Sequence, residues 1–156
     1  MKKLLIAFAV VLSLVSTGAL ADVGRDDDKH QNEALGKPGD PSKVSRTIRV
    51  DMNDAMRFVP DRISIKPGET IKFLVTNSGK LKHEMVLGNM EELKEHAELM
   101  RKFPDMEHAD PNQITLDPGK SGELVWQFTT EGTFHYGCLQ AGHFEAGMIG
   151  TVVVKR

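Results

Sequence analysis

Cysteine is nearly absent from this chain: Cys138 stands alone among 156 residues. No internal disulfide can form. A lone cysteine therefore serves as an intermolecular bridge, a reactive thiol or a metal ligand. Long apolar runs are also scarce. The longest, LLIAFAVVLSLV near the N-terminus, has about a dozen residues, within the range of a signal-peptide core and short for a membrane span. Clustered basic residues are missing as well. That excludes a nucleic-acid binder, which needs a basic face.

The N-terminal run reads as an address. MKK is a basic start, and Ala19-Leu20-Ala21 is a small-residue cleavage signal. Residues 1–21 are thus expected to be a signal peptide, with Asp22 opening the mature chain. No cysteine lies at the cleavage point, so neither a lipid anchor nor a stable membrane anchor is expected after cleavage. Export implies an oxidising, periplasmic location. Without Lys2 and Lys3, the 20 basic residues become 18 against 22 acidic ones, a net charge of −4.

Residues 22–44 are polar, punctuated by Gly and Pro, and poor in large apolar side chains. They are expected to form a flexible N-terminal arm. From Ser45 the pattern acquires period two. Ile48, Val50 and Met52 alternate with polar residues, as do Ile71, Phe73 and Val75. Pro67-Gly68 and Pro118-Gly119 mark turns. Leu124, Trp126 and Phe128 follow the second turn, and Phe134, Tyr136 and Cys138 share a face of the next strand. The last strand runs from about Met148 to Val154. Residues 45–156 are therefore read as one all-β domain, a Greek-key β-sandwich of seven to eight strands.

One segment breaks this pattern. Residues 89–103 carry Met90, Leu93, Ala97 and Met100 at helical spacing, and Pro104 stops the run. This is a helical insert between two strands.

The chemistry concentrates in FHYGCLQAGHFEAGMIG. Cys138, His143 and Met148 are separated by four residues each, giving a thiolate, an imidazole and a thioether on one short loop. These soft donors select copper, and a His2Cys site with a weak axial Met is the electron-transfer geometry. A second imidazole must come from elsewhere. His135 lies three residues before Cys138 and so points to the opposite face of its strand. His96 and His108 lie in or just after the insert. His83 opens a strand after the break at Asn77–Lys80, at the end of the sheets where the 138–148 loop also lies. The expected metal ligands are His83, Cys138, His143 and Met148. The insert offers donors for a weaker second Cu(I) site, with packing of Met90 and Met100 on the sandwich as the alternative. His96 and Met100 share a helix face there, and Met106 and His108 follow Pro104.

His83 in GKLKHEMVLG, with Cys138, His143 and Met148 in YGCLQAGHFEAGMIGTVVV, resembles the cupredoxins, the small type 1 copper proteins. Among these, DAMRFVPDRISIKPGETIKF, the KHEMVLG strand and the insert are most similar to the exported bacterial copper-tolerance cupredoxins. The resemblance covers residues 45–156. It implies one type 1 copper ion per chain. It also shows a departure. Many electron-transfer cupredoxins have Asn after the first ligand His, tying the two ligand loops together; here the residue is Glu84. An ionised carboxylate only accepts hydrogen bonds, so the bonding around the thiolate is expected to differ.

Two functions follow. One is periplasmic copper tolerance, by holding the ion or cycling it between Cu(I) and Cu(II). The alternative is an electron shuttle between redox enzymes. The shuttle would want a redox partner and an apolar docking patch near His143, for which Leu139, Ala141, Phe144 and Ala146 are candidates. An enzyme is not expected. Multicopper enzymes need His-x-His pairs, which the chain lacks, and a binuclear copper centre needs two cysteines.

Overall fold

The computed structural model describes residues 34–104 and 109–156. The proposed signal peptide and the first half of the proposed arm lie outside the described residues, as do Met106 and His108.

Two five-stranded sheets pack face to face. The first has the order β1 (Lys37–Pro38), β8 (Ser121–Gln127), β5 (Thr70–Asn77), β2 (Arg46–Asn53), β3 (Arg57–Val59). The second has the order β4 (Arg62–Ile65), β10 (Ile149–Val154), β9 (Gly132–Gly137), β6 (His83–Gly88), β7 (Gln113–Leu116). Period-two patterning explains the faces. Val50 and Met52 of β2, Ile71, Phe73 and Val75 of β5, and Leu124 and Trp126 of β8 all point into one core. Phe134 and Tyr136 of β9 and Val152 and Val154 of β10 meet them from the other sheet. Each such side chain contributes roughly 1.5–3 kcal/mol by leaving water.

The sandwich differs from expectation in three respects. There are ten strands among the described residues, more than the seven or eight expected, because β1 and β3 are only two and three residues long. Both sheets are mixed: β2 pairs with β5, and β10 with β4, in parallel. The expected flexible arm, 22–44, is also corrected in its second half. Leu35 is 1% exposed within the core. The Trp126 indole N–H donates to the Leu35 carbonyl at 3.0 Å, and Lys37–Pro38 pair with Trp126–Gln127. Asp40 then caps a 3-10 turn over Pro41–Lys43.

The helical insert forms α1, Met90–Lys102. Asn89 and Glu92 close a reciprocal capping box at its start, and Glu91–Glu92 and Arg101–Lys102 complement the helix dipole at its two ends. Its stripe of Leu93, Ala97 and Met100 is buried in a second, smaller apolar cluster with Val86, Leu139 and Phe144.

Candidate metal centre

Cys138 follows β9, and the chain then turns repeatedly before entering β10. The His143 N–H donates to the Gln140 carbonyl, the Met148 N–H to the His143 carbonyl, and the Cys138 N–H to the Met148 carbonyl. These bonds fold Cys138, His143 and Met148 onto one another. The turns need Gly142 and Gly147, both at φ +86°, a conformation that a side chain would strain. From β3, the Arg57 guanidinium donates to the carbonyls of Ala146 and Gly147 and ties the loop to the first sheet.

His83 reaches the loop from the first residue of β6. The break before it is organised by Asn77, which is fully buried. The Asn77 amide donates to the carbonyls of Leu81 and Leu116, and its oxygen accepts from the Gly79 N–H. Cys138 Sγ lies 3.8 Å from His83 Nδ1 and 3.3 Å from His143 Nδ1. The ligating atoms of His83, Cys138 and His143 all lie within 4.8 Å of one another. The two imidazole rings have centroids 4.9 Å apart. His83, Cys138 and Met148 are fully buried, while His143 is half-buried and marks the solvent edge. His135 is elsewhere: it is paired with Thr151 and Gly88, and its Nδ1 is buried without a hydrogen-bond partner among the described residues.

The electrostatics suit metal capture. Burial pushes the Cys138 thiol up to about 12, so the metal-free side chain is protonated at neutral pH. Burial, aided by nearby His83, lowers the pKa of His143 and leaves a neutral imidazole with a free lone pair. One thiol and two imidazoles form a donor set that copper and zinc both accept; a thioether adds preference for copper.

Two carboxylates brace the site. Glu84, 2% exposed, accepts from the Leu139 N–H at 3.0 Å, the Thr115 hydroxyl at 3.1 Å and the Gln140 amide at 3.3 Å. Its own N–H points to Cys138 Sγ at 3.4 Å. Glu84 thus ties the strand of His83 to the loop of Cys138, with a carboxylate in place of an amide. Asp54, in the β2–β3 turn, was not foreseen. Its Oδ1 lies 3.1 Å from His83 Nε2. The Lys80 N–H bond, then those from His83 and Leu81, hold its carboxyl below the usual range despite some opposing desolvation.

The copper-binding protein family of plastocyanin and azurin matches residues 44–155. The chain belongs to this family. It is 48% identical over 157 residues to the copper-resistant cuproprotein CopI of Rubrivivax gelatinosus, covering 96% of this chain and 95% of that protein. It is 33% identical to CopI of Pseudomonas aeruginosa, covering 92% and 94%. A solved structure of auracyanin B has a TM-score of 0.64 at 22% identity, covering 78% of this chain and 96% of that one, a likeness of fold. The chain is a copper-binding cupredoxin similar to CopI.

Two expectations change. Leu139 and Phe144, candidates for an apolar docking patch, are buried at 0% and 7% exposure beneath α1. The thioether of Met100, a candidate for a second Cu(I) site, is 3% exposed in the same cluster and serves packing. Met106 and His108 lie outside the described residues, so the insert does not assemble that site among the described ones.

Proposed function

We propose that this cupredoxin is an exported, periplasmic protein that protects the cell from excess copper through one type 1 centre. His83, Cys138 and His143 would hold the ion as strong ligands, and Met148 would be the weaker one. Copper held there would be sequestered, or would supply a one-electron Cu(I)/Cu(II) couple. The protein's own residues exclude water from the thiol, orient two Nδ1 atoms and hold the loop closed. The convergence of His83, Cys138 and His143 carries this reading. Both the CopI relatives are described as copper-resistant, which supports tolerance as the role. No catalytic role is proposed.

Burial of Leu139 and Phe144 favours tolerance over the shuttle. It leaves Ala141 and Ala146 as the exposed apolar side chains of the loop, a poor docking face. A gene deletion tests the role. Growth should fail at elevated copper and recover with the wild-type gene but not with Cys138→Ser. Normal copper tolerance in the deletion strain, with impaired respiration in copper-poor medium, would support the shuttle instead.

A further inference from the structure

We propose that Asp54 is a positioning residue of the metal centre: its carboxylate fixes His83 in the tautomer that leaves Nδ1 free for the metal. The inference rests on His83 being a ligand. The His83 side chain has no exposed surface, so its ring must satisfy both nitrogens inside the protein. Nε2 lies 3.1 Å from Asp54 Oδ1, and Nδ1 faces Cys138 Sγ at 3.8 Å. A neutral imidazole has one N–H, and an ionised carboxylate can only accept. The proton is therefore held at Nε2, and the Nδ1 lone pair points at the thiol.

Asp54 is itself anchored for this task. Its Oδ2 accepts from the Lys80 N–H at 2.8 Å, and its Oδ1 accepts from the Leu81 N–H at 3.2 Å. One carboxylate thus clamps the backbone that leads into His83 as well as the ring. Gly79 lies so close that any Cβ there would strike this carboxylate. His143, the other imidazole, has its Nδ1 against the same thiol but has no carboxylate bond among those described. A negative charge behind the His83 ring also favours the more highly charged ion, Cu(II) over Cu(I).

Three full-length variants, Asp54→Ala, Asp54→Asn and the charge control Glu131→Gln, test this against wild type. Long-range proton–nitrogen NMR of the metal-free proteins reads the His83 tautomer. Chelator competition reads Cu(II) and Cu(I) affinity separately. Wild type and Glu131→Gln should hold Nε2–H. Asp54→Ala should give mixed tautomers and lose about 10–100-fold in Cu(II) affinity, with a smaller loss for Cu(I). Asp54→Asn keeps one acceptor oxygen, so it should fold, keep the tautomer and still lose Cu(II) affinity through its missing charge. An unchanged tautomer in Asp54→Ala, or wild-type Cu(II) affinity in Asp54→Asn, overturns the proposal. If Asp54→Ala does not fold, the Asp54→Asn affinities decide. Absence of the intense thiolate-to-Cu(II) absorption in wild type would instead overturn the copper-site reading. The metal-free tautomer would still report on Asp54.

Discussion

Replacing Glu84 should weaken the fold and the site together. Its carboxylate receives three donors while almost fully buried. In Glu84→Ala the Leu139 N–H loses its acceptor at a fully buried position, which costs about 1–3 kcal/mol. Thr115 is exposed and Gln140 half-buried, so both recover part of their loss from solvent. The cavity left by the missing side chain adds roughly 1–2 kcal/mol. Removing a buried charge offsets some of this. The net destabilisation is about 2–4 kcal/mol. Glu84→Gln keeps an acceptor for Leu139, and the Thr115 hydroxyl can turn to accept from the new amide, so about 1 kcal/mol is expected. Urea unfolding of the metal-free protein measures both, as a shift of midpoint at unchanged slope. Destabilisation of Glu84→Ala by less than about 0.5 kcal/mol, the range of an inert surface change, would refute the bracing role.

Three further outcomes are expected. Copper binding must displace the Cys138 proton, held to about 12 by burial. Affinity should therefore rise about tenfold per pH unit above neutrality, levelling only near the thiol's own value, and fall as pH drops. Chelator competition from pH 7 to 9 checks this, and a flat profile argues against a thiolate ligand. His83→Ala should abolish the type 1 spectrum while His135→Ala keeps it, because His135 sits away from the cluster. Visible absorption of the two variants settles the assignment. Leu35→Ala should cost about 2–5 kcal/mol, as for a core leucine, measured by urea unfolding; a value near zero would return that segment to a free arm.

The meeting of Cys138 and His143 was legible because both are rare residue types held close in sequence. Cys138 and His143 need only local turns to meet, and the glycines that make those turns stand beside them. The distant His83 followed from strand parity, which turned His135 away, and from the chain break before β6. The bracing carboxylates were less readable. Glu84 was visible as a departure, yet its partners Thr115 and Gln140 lie 31 and 56 residues away. Asp54 carried no signal, since an aspartate in a turn is ordinary and its bond to His83 spans 29 residues. Leu35 was lost for a similar reason: one apolar residue in a polar stretch has no period, and only the Trp126 bond reveals where it docks.

The insert shows why two correct local readings gave a wrong surface. The stripe of Leu93, Ala97 and Met100 on α1 requires an apolar partner. The loop offers Leu139 and Phe144, which by themselves look like a docking patch. Each surface is the other's cover, and together with Val86 they close into one cluster. Phe144 directly follows His143, and Leu139 directly follows Cys138, so the helix packs on the neighbours of two proposed ligands. Removing its apolar stripe would free the loop on both sides of His143. The helix thereby contributes to the rigidity of the copper site, without supplying a donor to it.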